Sequence, residues 1–308
     1  MDPGSLRLFR HNWLEIHYLC WLQLETKPVL AMPRVFLITG TSTGFGRHLV
    51  QIVIDAGDIA VATARNPSTL SFQNTTPKNY LAVKLDVTST SDIDNAFSEA
   101  LSKFGRVDVV INNAGYGLSG PFEELEDKDI RTQMEVNFFG LLNVTKKAMA
   151  VMREQEPSGG LIQQVTSIAG QQGVPQFSIY CASKWAVEGF TESISHELKP
   201  EWNIRVQCVE PGGFRTDWSG RSMVFSEKRH QAYDHLDAKT RAQGRHMAQA
   251  GEPVKGAKAM YELAIMKDPP LRVVLGSDAY KAIMSKIDTY SENFKKYEKL
   301  SYSTDVDK

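Results

Sequence analysis

TGTSTGFG, residues 39 to 46, follows the apolar run VFLIT, Val35 to Thr39, without a break and opens into a stretch from about 44 to 56 with apolar residues three and four apart. The first run reads as a strand buried on both faces and the second as a helix. The glycines at 40, 44 and 46 therefore stand on a turn from a strand into a helix N-terminus. Backbone N–H groups converge there on an anion such as a dinucleotide pyrophosphate. Gly40 is expected to let the chain turn, and Gly44 and Gly46 to let backbone approach the phosphates, with Ser42, Thr43 and Phe45 in the same loop. A glycine triplet alone is weak evidence; the strand before it and the helix after it give it weight.

Outward from this loop the same alternation continues. Further β-branched runs occupy Ile59 to Thr63, Tyr80 to Leu85, Val107 to Ile111, Gly160 to Val165, Ile204 to Val209 and Arg272 to Leu275, with helical spacing at 91–104, 127–155 and 179–198. The pattern predicts an α/β fold: a single Rossmann-type, doubly wound, seven-stranded parallel sheet with helices on both faces, spanning residues 32–300. Ser91 is the expected cap of the second helix, and Pro200 stops the helix before it. Residues 217–251, polar and rich in Arg, His and Gln, read as a helical flap over a substrate. A charged helix from Asp278 to about Tyr297 and a loose polar tail, 301–308, complete the chain.

The chain has 308 residues, of which 35 are basic and 36 acidic, for a net charge of -1. No cationic excess exists to drive binding to nucleic acid or anionic membrane. Cys20, Cys181 and Cys208 form no CxxC pair and adjoin no histidine cluster, so a reducing, cytoplasmic setting without a structural metal is expected. Residues 13–22 (WLEIHYLCWL) are apolar and aromatic, but Glu15 and His17 interrupt the run, which falls short of the ~18 residues a span needs. Since MPRVFLITG leads straight into the first strand from Met32, residues 1–31 read as a disordered extension or a non-native start.

Cofactor choice is expected at the end of the second strand, where an acid would bond a ribose 2′-hydroxyl and an arginine would take a 2′-phosphate. VATAR places Arg65 there, which predicts NADP(H). LDVT (85–88) and NNAG (112–115) both fall at strand C-terminal ends, the edge of an open α/β sheet where ligands bind.

YCASK, residues 180 to 184, puts Tyr180 and Lys184 one helical turn apart on one face. An ammonium near a phenol favours the phenolate and lowers its pKa from about 10, fitting Tyr180 for general acid–base work. Ser167, in VTSIAG, lies 13 residues earlier at a strand end, where its hydroxyl can hold a reacting oxygen. Asn137, in MEVNFFG, can complete a polar relay to Lys184.

TGTSTGFG, NNAG, the order Asn137, Ser167, Tyr180, Lys184, and VEPGGFRTDW (209–218) together resemble the short-chain dehydrogenase/reductase family in its ordinary, non-extended branch, over about residues 34–218. The resemblance implies a catalytic tetrad in those four residues, with Tyr180 and Lys184 also touching the cofactor. It implies contact of Asp86 and Val87 with the adenine, and Asn113, Ala114 and Gly115 along the cofactor. Pro211, Gly212, Gly213, Phe214 and Thr216 would close over the nicotinamide. The activity implied is hydride transfer between a nicotinamide and a carbonyl/alcohol pair.

Phe177, Phe214, Trp218, Met223 and Phe225 flank the expected pocket and suggest a large apolar substrate such as a steroid, retinoid, lipid or secondary-metabolite carbonyl. Helices 127–155 and 179–198 resemble the family's pairing helices, implying a homodimer or homotetramer. The competing readings are a non-catalytic NADP(H)-binding regulator, which would usually lack the tyrosine or lysine, and a sugar-nucleotide epimerase or dehydratase, which would usually carry a GxxGxxG loop.

Overall fold

The computed structural model describes residues 32–245 and 248–306. The expectation for residues 1–31 lies outside the described residues, as do two positions of the flap and the last two of the tail. Nine strands form among those described: β1 (Val35–Ile38), β2 (Ile59–Ala64), β3 (Tyr80–Lys84), β4 (Val109–Asn112), β5 (Gly117–Ser119), β6 (Gly160–Val165), β7 (Ile204–Pro211), β8 (Met223–Phe225) and β9 (Arg272–Leu275). Seven of them build one parallel sheet in the order β3-β2-β1-β4-β6-β7-β9. All seven expected strands are present. The order reverses direction between β1 and β4, so a crevice opens beyond their C-terminal ends, and the glycine loop sits at its edge.

The helices are α1 (Gly44–Asp55), α2 (Thr90–Phe104), α3 (Asp127–Met134), α4 (Gly140–Glu154), α5 (Ser178–Glu197), α6 (Ala238–Arg245), α7 (Pro253–Ala264), α8 (Ser277–Lys296) and α9 (Glu298–Tyr302). Strand alternation explains the three layers. Val35 and Leu37 of β1 pack with Ile93 and Phe97 of α2, Val144 of α4 and Ile194 of α5. Phe36 and Ile38, pointing the other way, pack with Leu49 and Val53 of α1 and Ala257 and Met260 of α7. A strand covered on both faces has no place for a polar alternation, which is why its sequence is apolar throughout.

Several expectations are corrected. The cap of α2 is Ser89, whose hydroxyl accepts from Asp92 N at 3.2 Å, rather than Ser91; the helix starts one residue earlier than its apolar period suggests. The stretch 127–155 is helical throughout, but α3 and α4 are joined by a π turn at Glu135–Phe139. Helix α7 was not expected; Glu252 caps it by accepting from Val254 N and Lys255 N, and Pro253 occupies its first turn, where no N–H is needed. The flap is helical only at α6 and in single turns, because β8 pairs in parallel with β5 across it. The segment from Ser301 is not loose at its start, since α9 runs to Tyr302. No helix among the described residues is long and apolar enough to cross a membrane.

Candidate active site

Thr39, where β1 ends, organises the glycine loop. Its hydroxyl oxygen accepts from Asn113 N and Ala114 N, each at 3.0 Å, while Asn113 Nδ2 donates to Thr39 O at 2.9 Å and Gly40 O at 3.0 Å. Asn113 and Ala114 thus brace the loop. Gly40 adopts a φ of 69°, and a Cβ there would stand 2.8 Å from Ala114 Cα, so glycine is needed for both reasons. At Gly46 a Cβ would meet Gly40 O at 2.4 Å. Glycine there lets α1 pack closely under the turn. Gly44, at φ 55°, is less crowded, since a Cβ there would make only ordinary contact with Thr216 at 3.8 Å.

Thr43 precedes α1 without a side-chain cap, which leaves the first N–H groups of the helix free of a side-chain partner. They border a cavity of about 400 Å³ lined by Ser42, Thr43, Gly44, His48, Thr216, Asp217 and three arginines, Arg47, Arg215 and Arg221. Uncapped N–H groups facing guanidinium groups suit a pyrophosphate. The arginines escaped the sequence reading because each stands outside the glycine word; Arg47 sits one position past it. Arg47 donates to Ser71 O at 3.0 Å and lies over the Phe72 ring, Arg215 donates to Gln249 O at 2.6 Å, and Arg221 pairs with Asp217.

Arg65 stands exposed one residue past β2, with no ion pair or hydrogen bond among the described residues. The end of β2 is tied to the loop, since Thr41 N and Thr41 Oγ1 both reach Thr63 O, at 3.0 and 3.1 Å. The Asp86 carboxylate accepts from Thr88 N at 3.0 Å and Thr88 Oγ1 at 2.7 Å, and the Val87 side chain is buried against Gly140. Both side chains therefore serve their own turn and core.

Tyr180, Ser167, Asn137 and Lys184 converge from α5, the end of β6 and the π turn. The Ser167 hydroxyl oxygen accepts from Ala169 N at 3.1 Å, capping a tight turn at Ile168–Gly170. Tyr180 is buried, and burial pushes its phenol up to about 12; the Ser167 hydroxyl beside it acts in the opposite direction, and Cys181 adds to the rise. This corrects the expectation that Lys184 drives the phenol down. Lys184 Nζ lies 5.9 Å from the Tyr180 ring centre and donates to Val165 O at 2.9 Å. Burial also pulls Lys184 down to about 8, opposed by Glu188 and Cys208, so its charge is itself weakened.

Asn137 does not bond to Lys184. Its side chain accepts from Tyr116 N at 3.1 Å and donates to Tyr116 O at 2.9 Å and Ser183 Oγ at 3.3 Å. The two meet only across Gly115, where a Cβ would stand 3.1 Å from Asn137 Oδ1 and 3.8 Å from Lys184 Nζ. The wider turn places Asn137 there, as π turns commonly do at functional sites.

An aromatic wall covers Tyr180. Phe177 and Trp218 stack at 5.8 Å, and Trp218 lies 5.2 Å from the Tyr180 ring. Met223 and Phe225 of β8 join them, so four of the five expected apolar residues share one cluster with Tyr180. Phe214 does not. Its ring packs edge-on against Phe45 at 5.0 Å and under Gly256 of α7, which also takes the Phe45 ring away from the crevice. Gly212 and Gly213 are likewise explained by Asp278, an unexpected residue. A Cβ on Gly212 would stand 2.5 Å from its carboxylate, and Gly213 N donates to it at 2.7 Å. Pro211 closes β7, and Thr216 lines the cavity while capping the turn at Asp217–Ser219.

Comparison with known proteins agrees with this geometry. A family profile described as short chain dehydrogenase matches residues 34–224. An uncharacterized oxidoreductase of Schizosaccharomyces pombe is 39% identical over 273 residues, 88% of this chain and 91% of its own. A 3-ketodihydrosphingosine reductase of Bacteroides thetaiotaomicron is 34% identical over 247 residues, 79% of this chain and 88% of its own. The crystal structure of a short-chain dehydrogenase from Streptomyces avermitilis superposes with a TM-score of 0.79 at 35% identity, over 89% of this chain and 99% of that one. With its loop, sheet order and profile match in agreement, the chain belongs to the short-chain dehydrogenase/reductase family of oxidoreductases.

Proposed function

We propose that the chain is an NADP(H)-dependent oxidoreductase interconverting a carbonyl and an alcohol on a large apolar substrate, with Asn137, Ser167, Tyr180 and Lys184 as its working residues. The observation that carries this reading is the juxtaposition of the Ser167 hydroxyl and the Tyr180 phenol beneath an aromatic wall. When bound, the nicotinamide supplies or accepts the hydride at C4.

The loop from Gly40 to Gly46 and the N-terminus of α1 hold the pyrophosphate, and Arg65, with no partner among the described residues, takes the 2′-phosphate. Asn113, Ala114 and Gly115 set the floor on which the cofactor lies, the backbone at Asp86 and Val87 borders the adenine, and the segment from Pro211 to Thr216 covers the nicotinamide end. Ser167 donates to the substrate oxygen. Tyr180, held at about 12, is a neutral phenol at pH 7 and so carries the proton that a reduced carbonyl needs. Reduction as the working direction follows from the NADP(H) reading alone. Lys184 holds the ribose and the phenol in line, and Asn137 fixes the Tyr116 backbone beside it.

The wall of Phe177, Trp218, Met223 and Phe225 suits a steroid, retinoid, lipid or secondary-metabolite carbonyl. The relative named as a 3-ketodihydrosphingosine reductase supports a long-chain carbonyl among these. Cysteine usage supports a cytoplasmic setting. Exposed Phe139 and Trp185, beside and on the helices expected to pair, support a homodimer or homotetramer.

NADPH and NADH consumption across aliphatic, aromatic, steroidal and quinone carbonyls tests the reading. Turnover with NADPH concentrated among bulky apolar ketones is the expected result. A preference for small polar aldehydes, or for NADH, would contradict it.

A further inference from the structure

Behind Lys184, away from the crevice, lies a buried acidic group that the proposed chemistry does not use. Glu188, one turn along α5 from Lys184, and Glu210, the residue of β7 just before Pro211, are both buried. Arg272 of β9 closes on them, with its Nε 3.0 Å from Glu188 Oε2 and 3.9 Å from Glu210 Oε1, while its Nη2 reaches Glu192 Oε2 at 2.7 Å. Gln171 Nε2 donates to Glu210 Oε1 at 3.2 Å, and the Gln171 carbonyl accepts from Lys286 of α8. Gly170 packs directly on this turn of α5; a Cβ there would stand 3.0 Å from Glu188 Cγ and 3.2 Å from Lys184 O.

We propose that Glu188 and Glu210, clamped by Arg272, form a buried acidic bracket behind the Lys184 ammonium that ties together the three segments carrying the site. Those segments are the Ser167 turn through Gly170 and Gln171, the Tyr180–Lys184 helix through Glu188, and the Pro211 loop through Glu210. Glu188 is a positioning residue that acts through Lys184.

The electrostatics agree with the geometry. Glu188 is the leading group that opposes the loss of charge that burial imposes on Lys184. Burial and the neighbouring Glu188 together lift Glu210 to about 7, so near neutrality its carboxyl is about half protonated. Among the described residues no N–H or O–H donor reaches the buried Glu188 Oε1, and the Cys208 thiol and the Glu210 carboxyl are the groups that interact with the Glu188 side chain. The charged and titratable groups around Lys184 are Tyr180, Glu188 and Glu192 on α5, Cys208 and Glu210 on β7, Arg272 on β9 and, beyond Gln171, Lys286 on α8.

The inference rests on the proposed role of Lys184 at the cofactor, and the test separates the two. NADPH binding is titrated by fluorescence from about pH 6 to about pH 10, a range that brackets the Lys184 ionisation. The variants are Lys184→Met, Glu188→Gln and Glu188→Met in the full chain. The wild type is expected to lose NADPH affinity as pH rises through about 8, and Lys184→Met to lack that limb. Glu188→Gln should move the limb down by about one pH unit. A purely structural bracket would weaken binding equally at every pH. If the wild-type limb survives in Lys184→Met, the cofactor reading fails. If it vanishes there but Glu188→Gln leaves it in place, the bracket alone is overturned. Should Glu188→Gln not fold, Glu188→Met, an apolar replacement of similar length that needs no buried partner, should show the same downward shift, and an unmoved limb there overturns the bracket.

Discussion

Gly46 lies so close beneath Gly40 that a single added methyl group would stand 2.4 Å from the Gly40 carbonyl oxygen and 2.6 Å from Asn113 Nδ2. The first helix is seated against the turn through this contact, and both atoms it would strike belong to the rigid brace around Thr39. Gly46→Ala should destabilise the chain by about 1–3 kcal/mol, since backbone there cannot give way. Chemical denaturation checks this through a lowered midpoint at unchanged slope, and NADPH affinity should fall with it. A midpoint equal to that of the wild type would contradict the packing role.

Arg65 is exposed beyond β2 with no partner for its guanidinium among the described residues. A charged hydrogen bond to a 2′-phosphate contributes about 1.5–3 kcal/mol, so Arg65→Asp should cut the preference for NADPH over NADH by about 10- to 100-fold. Competitive titration of the two nucleotides reads this ratio directly. An unchanged ratio would shift the role to Arg47.

Trp218 is one cause of the burial that lifts Tyr180, since its ring lies 5.2 Å from the phenol ring. Trp218→Ala should let water in and bring the Tyr180 ionisation down from about 12 toward its ordinary value of 10. Tyrosinate absorbance against pH, with Tyr180→Phe in the same background subtracted, isolates this one phenol. A titration that stays near 12 would mean that the wall does not control it.

Glu210 gives stability a defined pH window. Its folded value, about 7, lies above its ordinary value of 4.5, so the folded state binds the proton more tightly than the unfolded chain. The contribution is therefore complete below pH 4.5 and disappears as pH rises through 7, a loss on the order of 3 kcal/mol. Lys184 acts in a separate window with the opposite slope. Its folded value of about 8 lies below 10.5, so its penalty is relieved as pH rises between the two. Glu210→Gln should remove the decline between about pH 5 and pH 7 without touching the alkaline rise. Denaturation midpoints measured across that range decide it.

These outcomes separate what the sequence carries from what only packing reveals. The seven sheet strands were legible because burial on both faces leaves an unbroken apolar run, and the Tyr180–Lys184 pair because four residues make one helical turn. Strands β5 and β8 were not, since three residues are too few to show a period. The π turn under Asn137 has no composition of its own. Phe214 shares a sequence word with Gly212 and Gly213 yet turns toward Phe45, because the neighbouring helix α7, itself unexpected, offers the apolar surface. The Tyr180 expectation erred in sign because spacing reports the lysine but not the burial of both groups.

The central claim is that Tyr180 transfers the proton while the rest of the site binds. Tyr180→Phe removes one oxygen and retains the ring that packs on Phe177 and Trp218. NADPH binding and NADPH-dependent reduction of the best carbonyl in the panel should be measured side by side on this variant. The account predicts affinity within a few-fold of wild type and turnover reduced by about 100-fold or more. Turnover equal to that of the wild type would contradict it.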